Sequence, residues 1–163
     1  MRNREKMKII PADKSRAAAW LAMRLALWPK CQRPESRREI KRILGSDREA
    51  AFLALDGSGE VIGFAEVSTR EYVDGCKTRP VGYLEGIYVR PGWRKRGVAS
   101  QLVKRGEAWA AIKGCREMGS DTSIQGTASI AFHRACGFRI TERQVVFLKA
   151  IRKRRRTANN RRQ

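Results

Sequence analysis

The amino-acid sequence predicts an α/β (α+β) fold in which helices flank one mixed β-sheet. Apolar residues recur at helical spacing in four stretches, and six shorter runs read as strands. Three of these strands follow one another without a helix between them, which excludes a pure βαβ repeat, and the helices exclude an all-β barrel. The predicted order is β-α-α-β-β-β-α-β-α-β, and 163 residues suffice for one compact domain.

The first third of the chain is predicted to hold one short strand and two helices. The strand covers residues 8–11, and the first helix covers residues 13–28, where Pro29 ends it. The apolar residues of this helix recur about one turn apart: Ala17, Leu21, Leu25 and Trp28. A shorter helix over residues 35–44 is closed by Gly45.

Three consecutive strands are predicted in the middle of the chain. Residues 50–55 and 61–68 form a hairpin, because the sequence DGSG between them is a turn signal. A polar loop then leads to the third strand, residues 81–89, which the sequence RPG ends.

Helices and strands alternate in the last part of the predicted domain. A helix runs from residue 97 to about residue 113, and a brief strand follows over residues 115–120. The last helix covers residues 128–136, with Gly137 as its stop, and residues 144–150 are predicted to form a closing strand.

Positive charge is the strongest signal in the composition, at a net charge of +20. Eight of the 36 basic residues and none of the 16 acidic ones lie from Lys149 onward, so residues 1–148 carry +12. We therefore expect a folded domain over residues 1–150 and a disordered basic tail over residues 151–163. No recognition motif accompanies the tail, so we expect no specific nucleic-acid partner.

Cysteine and histidine usage argues against a metal site or a disulfide framework. The four cysteines are widely spaced without a CxxC pair, and the chain has one histidine, so free and mostly buried thiols are expected. The sequence contains no apolar run of 18 residues, and its N-terminus has no apolar signal core. The expectation is a soluble cytoplasmic protein without a membrane partner.

A loop of small and basic residues between strand 81–89 and the next helix predicts an anion site. Free N–H groups and the positive end of the helix dipole lie at such a helix N-terminus. Gly97 lets the backbone approach a phosphate, and Arg94, Lys95 and Arg96 add charge suited to a pyrophosphate. The loop lacks both the GK[ST] ending of the Walker loop and the GxGxxG of the dinucleotide fold.

This loop resembles the RxxGxA signature of the GNAT family of N-acetyltransferases. It follows a strand ending in V-x-P, and AFHRACGF at residues 131–138 resembles the later helix-turn segment of that family. The resemblance implies a GNAT fold and acetyl-coenzyme A as cofactor. The implied cofactor-binding residues are Ile87, Tyr88, Val89, Arg94, Lys95, Arg96, Gly97, Val98, Ala99, Ser100 and His133.

Four further segments resemble one branch of that family, the aminoglycoside 6'-N-acetyltransferases. They are LWP at residues 27–29, EYVDGC at 71–76, PVGYLEGIYV at 80–89 and GCREMGSDTS at 114–123. The resemblance runs from about Lys8 to Leu148 and implies an aminoglycoside substrate, a role in antibiotic resistance and a homodimer. The implied substrate-binding residues are Trp28, Tyr72, Glu85, Asp121 and Glu142.

Charge supports a polycationic substrate independently of the resemblance. A protein this basic would repel an aminoglycoside unless acids were gathered at the site. Acidic residues are expected at strand ends or in loops near strand 81–89: Glu66, Glu71, Asp74, Glu85 and Asp121.

The resemblance implies direct acetyl transfer in a ternary complex with Glu85, Asp121 and His133 as the catalytic residues. Glu85 is the candidate base, directly or through a water, and Asp121 would help to hold the amine. A backbone N–H of strand 87–89 would stabilise the thioester oxygen. His133 occupies the place of the family's tyrosine acid, and could be the acid, a contact to the cofactor arm or a structural histidine.

Two other functions remain open at the level of the sequence. An acetyltransferase of polyamines or protein lysines would act on spermidine or a peptide and not on kanamycin. An inactive basic module that binds nucleic acid through its tail would show salt-sensitive DNA binding and no turnover of acetyl-coenzyme A.

Overall fold

A computed structural model describes residues 7–151 and contains one five-stranded sheet. The strands lie in the order of the chain, and each neighbouring pair is antiparallel except the last, which is parallel. Their bounds are β1 Lys8–Pro11, β2 Glu49–Leu55, β3 Val61–Arg70, β4 Val81–Val89 and β5 Met118–Ser120. The mixed sheet expected from the sequence is confirmed.

Four α-helices accompany the sheet within the described residues: α1 Ala17–Leu27, α2 Arg33–Leu44, α3 Val98–Ile112 and α4 Thr127–Ala135. The predicted start of the first helix at residue 13 is wrong, because a 3-10 turn over Lys14–Arg16 precedes it. Asp13 caps this turn by accepting hydrogen bonds from the backbone N–H groups of Ser15 and Arg16.

The helices cover both faces of the sheet. Alternate residues of β2 show the division, because Leu53 packs toward α1 and α2 while Phe52 packs toward α3. The central strands β2 and β3 are therefore buried on both sides, and eight of the ten residues of β3 are buried. This burial fixes the register of the strands, and the register determines which polar side chains of neighbouring strands lie side by side.

The predicted closing strand over residues 144–150 is wrong for the single chain. Residues 139–151 have no regular secondary structure and pair with no strand in the described part of the chain. The apolar residues that produce the strand pattern are exposed: Val145, Val146, Phe147, Leu148 and Ile151. A pattern of residues indicates strand propensity, but a strand forms only where a partner supplies the hydrogen bonds.

Other differences from the expected bounds are small. The predicted strand 115–120 shortens to β5, because Cys115 donates its backbone N–H to the carbonyl of Ala110 at the end of α3 instead of joining the sheet. Of the expected basic tail, residues 152–163 lie outside the described residues. No helix among residues 7–151 is long and apolar enough to cross a membrane.

Candidate active site

A β-bulge in β4 sets the position of Glu85. Leu84 pairs with Val67 of β3 and Gly86 pairs with Glu66, so Glu85 has no partner in the neighbouring strand. Such an extra residue bends the strand and turns its side chain out of the regular alternation. The predicted catalytic carboxylate therefore lies at the one irregular position of this strand pair.

An arginine holds the carboxylate of Glu85 in this structure. Arg70 donates from Nη2 to Oε2 at 2.7 Å and from Nε to Oε1 at 3.2 Å, and the hydroxyl of Ser68 donates to the same carboxylate. The Arg70 guanidinium also lies 3.4 Å from the centroid of the Tyr83 ring. A cation thus bridges an acid and an aromatic face, the two kinds of group that bind ammonium ions.

The same group of side chains includes Asp121. The hydroxyl of Tyr83 donates to Oδ1 of Asp121 at 2.5 Å. Burial first, and then the hydrogen bond to Asp121, raise the pKa of Tyr83 far above its ordinary value, so the phenol stays protonated and remains a donor. Arg70 and Tyr83 therefore connect the two predicted carboxylates, Glu85 and Asp121, into one cluster.

Trp28 packs directly against the bulge. A Cβ on Gly86 would lie 2.5 Å from Cη2 of the Trp28 ring, so only glycine leaves room for the indole there. The ring is also 4.8 Å from the Arg24 guanidinium and 6.2 Å from the ring of Phe64. Trp28 thus packs against Gly86, the residue that follows Glu85 in β4.

A buried ion pair between Arg24 and Glu66 lies next to the Trp28 ring. Glu66, one of the acids expected near the substrate, is instead 4% exposed within β3 and faces α1. It accepts a hydrogen bond from Nε1 of Trp20 at 2.7 Å and is paired with Arg24, which also donates to Ser36 at 2.9 Å. Burial raises the pKa of Glu66, while Arg24 opposes that rise. Glu66 is therefore a structural acid, and its expected place at a strand end or in a loop is wrong.

Tyr72 lies in the loop between β3 and β4, close to the C-terminal segment. Its hydroxyl donates to Oδ1 of Asp74 at 2.7 Å, and this bond is the first cause of a raised pKa of Tyr72, to which the charge of Glu142 also contributes. Gln144 donates to Asp74 at 3.5 Å. Tyr72, Asp74 and Glu142 are thus brought together, whereas Glu71 pairs with Arg48 on the exposed surface.

The strands β4 and β5 separate beside this acidic cluster. Their parallel pairing covers only three residues of β4, Gly82–Leu84 opposite Met118–Ser120. Within the described chain, no strand pairs with residues 85–89 on that side, so part of their backbone remains open to a ligand. We refer to the point where Leu84 and Ser120 end the pairing as the fork.

The basic loop lies between the open end of β4 and α3. Gly97 has a φ of +81° and caps α3 without a side-chain hydrogen bond, which leaves the first N–H groups of the helix free. Arg94 donates from Nε to the carbonyl of Val89 at 2.9 Å and so anchors the loop to β4. Lys95 and Arg96 are exposed and form no ion pair with any described residue. These groups fit the pyrophosphate of coenzyme A.

The cofactor residues expected from the sequence divide into two kinds in the structure. Val98 is buried in the core beneath the loop, so only its backbone can meet a ligand, and the side chain of Val89 is likewise buried. The side chains of Ile87 and Tyr88 are partly buried, and those of Lys95, Arg96 and Ser100 are exposed.

His133 on α4 lies close to the fork. Its Nε2 is 2.9 Å from the hydroxyl of Ser120, and its Nδ1 is 2.7 Å from the backbone carbonyl of Ser129. The imidazole packs edge-on between the rings of Phe132 and Phe138. His133 is therefore directed at the end of β5, on the opposite side of the fork from the bulge.

Three residues of this cluster were not predicted from the sequence: Arg70, Tyr83 and Ser120. Tyr83 and Ser120 lie within segments that carried the resemblance, but no local pattern marks them as polar partners. Their contacts depend on the bulge and on the register of β3, β4 and β5, which only the folded chain supplies.

Comparison with known proteins agrees with this geometry. The family model of the acetyltransferase (GNAT) family matches residues 17–138. An aminoglycoside N(6')-acetyltransferase type 1 from Stenotrophomonas maltophilia is 46% identical over 138 residues, which are 84% of this chain and 87% of that protein. The enzyme of the same name from Serratia marcescens is 41% identical over 88% of this chain and 99% of its own length.

Solved structures give the same result. The aminoglycoside N-acetyltransferase AAC(6')-Iy in complex with coenzyme A superposes with a TM-score of 0.87 at 40% identity, covering 93% of this chain and 99% of that one. The same enzyme in complex with the bisubstrate analogue CoA-S-monomethyl-acetylneamine gives a TM-score of 0.85 at 41% identity, covering 90% of this chain and 99% of that one. The chain therefore belongs to the acetyltransferase (GNAT) family, within the branch of the aminoglycoside N(6')-acetyltransferases.

Proposed function

We propose that the chain transfers the acetyl group of acetyl-coenzyme A to the 6'-amine of aminoglycoside antibiotics and so confers resistance to them. The observation that carries this proposal is the bulge in β4, which presents Glu85 beside the open fork and links it through Arg70 and Tyr83 to Asp121. An acidic cluster on a strongly basic protein suits a polycationic substrate.

The loop before α3 holds the acetyl donor in this proposal. The free N–H groups at Gly97 to Ser100 and the cations Lys95 and Arg96 bind its pyrophosphate. The open backbone of residues 87–89 binds its pantetheine arm. The acetyl donor supplies the activated acyl group, and the chain supplies position, a base and hydrogen-bond donors.

The substrate amine reaches the site as an ammonium ion and must lose a proton before it can attack. Glu85 accepts that proton, directly or through a water, while Asp121 holds the amine in place. A backbone N–H of residues 87–89 donates to the thioester oxygen as negative charge develops on it. Trp28, Tyr72 and Glu142 line the rest of the pocket and bind the other rings and ammonium groups.

The cysteines favour direct transfer over an acyl-enzyme. Burial is the first cause of a raised pKa in all four thiols, Cys31, Cys76, Cys115 and Cys136. A thiol with a raised pKa is protonated at neutral pH, and the protonated form is a poor nucleophile. We therefore assign no covalent role to any cysteine.

We also propose that the protein acts as a homodimer in the cytoplasm, where acetyl-coenzyme A is available. The exposed apolar residues 145–148 support the dimer, because a second copy can cover side chains that the single chain leaves in water.

The experiment that tests the activity is release of thiol from acetyl-coenzyme A with a panel of aminoglycosides. Substrates with a 6'-amine are expected to be acetylated, and their 6'-hydroxyl analogues are expected to be inert. Glu85→Gln should lower kcat by about 10²-fold to 10⁴-fold, the usual contribution of a general base. Glu49→Gln, which removes an acid from the exposed Arg42–Glu49 pair, is the matched control and should retain full activity.

Equal activity on 6'-hydroxyl analogues would contradict the assigned position of transfer. Activity on spermidine or a lysine peptide without activity on any aminoglycoside would instead favour an acetyltransferase of polyamines or proteins.

A further inference from the structure

Ser120, the last residue of β5, lies at the fork and contacts His133. Its hydroxyl donates to the carbonyl of Leu84 at 3.1 Å, and its Oγ is 2.9 Å from Nε2 of His133. Leu84 is also the last residue of β4 that pairs with β5. Ser120 therefore joins the imidazole to the point where the two strands separate.

The imidazole of His133 has a defined orientation. Nδ1 lies 2.7 Å from the backbone carbonyl of Ser129 and 3.4 Å from its hydroxyl, so a proton on Nδ1 has an acceptor in the carbonyl. The rings of Phe132 and Phe138 hold the imidazole edge-on, with ring centroids 5.3 and 5.4 Å away. Nε2 is the nitrogen that contacts the hydroxyl of Ser120.

The hydrogen-bond partners around Ser120 can accommodate one extra proton. With a proton on Nε2, His133 donates to Ser120 and Ser120 donates to Leu84, so every donor has an acceptor. Without that proton, the single hydrogen of the Ser120 hydroxyl must serve two acceptors. The two hydrogen bonds provide a path for a proton from Nε2 through the hydroxyl.

We propose that Ser120 is a further catalytic residue, which relays a proton from His133 to the thiolate that leaves during acetyl transfer. This inference rests on the proposed function, because it requires the thioester to lie at the fork. As the carbon–sulfur bond breaks, its electron pair stays on sulfur. Ser120 gives its hydroxyl proton to that sulfur and takes the proton of His133 Nε2, which leaves a neutral imidazole. A proton from solvent restores His133 before the next turnover.

The kinetic test compares Ser120→Ala, His133→Gln and the double variant in single-turnover transfer to an aminoglycoside. Each single variant should slow transfer by about 10²-fold, the low end for general acid catalysis because a thiolate leaves readily. The KM for the aminoglycoside should stay unchanged. The double variant should be no slower than the slower single variant, since the two residues act as one unit.

Ser123→Ala is the matched control for the kinetic test. Ser123 lies three residues after Ser120, in the loop that follows β5, and its hydroxyl donates to Gln125 at 2.8 Å. This variant should transfer at the wild-type rate. Losses that multiply in the double variant, or a wild-type rate for Ser120→Ala, would overturn the relay.

A second readout does not depend on turnover. His133 is the only histidine in the chain, so ¹⁵N-labelled histidine gives NMR signals from one imidazole. The wild-type protein should show a proton on Nδ1. Ser120→Ala should change the chemical shift of Nε2 and leave that of Nδ1 unchanged. An unprotonated Nδ1, or an Nε2 signal that does not respond to Ser120→Ala, would contradict the proposal.

The two proposals fail in different ways. If the wild-type protein acetylates no aminoglycoside, the proposed function falls and the relay with it. If the wild-type protein is active and Ser120→Ala equals it, the relay alone is overturned.

Discussion

At the scale of single residues, the protein's own Arg70 pairs with Glu85, the acid that we propose to act on the substrate amine. Arg70 pairs with Glu85 at 2.7 Å, and their side chains are 43% and 32% exposed. An ion pair this exposed contributes at most about 1 kcal/mol, so an aminoglycoside can displace it. The contact nevertheless lowers the fraction of protein in which Glu85 is free, and the apparent affinity falls in proportion.

We therefore predict that Arg70→Gln binds aminoglycosides about twofold to fivefold more tightly, which corresponds to about 0.5–1 kcal/mol. Isothermal titration calorimetry measures this change directly. Arg42→Gln removes the same charge from the exposed pair with Glu49 and should leave the affinity within error of the wild type. Weaker binding by Arg70→Gln would mean that the arginine shapes the pocket instead of competing for it.

The sequence identifies the acids of this cluster better than their partners. Glu85 and Asp121 follow from the resemblance to a family, and the structure places them in one group with Tyr83. Glu66 was expected at a strand end or in a loop near β4, whereas it lies within β3 and faces α1, a side that cannot be assigned without the register. Arg70 and Ser120 were missed because their contacts join different elements, β3 to β4 and β5 to α4, across 15 and 13 residues of sequence.

At the scale of secondary structure, the bulge in β4 and the end of α1 depend on each other. Trp28 follows α1 and its ring occupies the space where Gly86 has no side chain. The buried pair of Arg24 and Glu66 fixes α1 against β3 one register position away from the bulge. A side chain at Gly86 would therefore displace Trp28, which we propose to line the substrate pocket.

We predict that Gly86→Ala raises the KM for aminoglycosides and leaves the KM for acetyl-coenzyme A near its wild-type value. Overpacking of this kind also costs about 1–3 kcal/mol of stability, which thermal unfolding measures. Gly45→Ala is the control, because its Cβ would meet only backbone oxygens at 3.7 and 3.8 Å. Equal rises in both KM values would indicate a general distortion of β4 instead of a displaced Trp28.

Hydrophobic periodicity predicts most of these helices and strands, because the residues that are buried against the sheet or within it are apolar and recur at regular spacing. The bulge is not predictable in this way, since the extra residue is visible only in the pairing of two strands. The closing strand was predicted in error for a related reason, because its apolar pattern is real but residues 7–151 contain no strand that pairs with it.

At the scale of the whole molecule, the exposed apolar segment 145–148 favours association of two chains, whereas their high positive charge opposes it. Val146, Phe147 and Leu148 are 89–98% exposed, which is unusual for three consecutive apolar side chains. Covering them with a second copy is favourable, whereas bringing together two chains of charge +20 is not. Salt screens the repulsion and leaves the apolar contact intact, so the dimer should become tighter as ionic strength rises.

We predict that Phe147→Ser combined with Leu148→Ser raises the dissociation constant of the homodimer by about 10²-fold or more. Burying each of these side chains contributes about 1.5–3 kcal/mol, and each 1.4 kcal/mol is a factor of ten. Sedimentation velocity at several protein and salt concentrations measures the change.

The variant should remain folded by circular dichroism, because both side chains are exposed in the single chain. Ile112→Ser, at another exposed apolar position on α3, should dimerise as the wild type does. A wild-type protein that is monomeric at tens of micromolar, or a variant that sediments with it, would show that residues 145–148 do not form the interface.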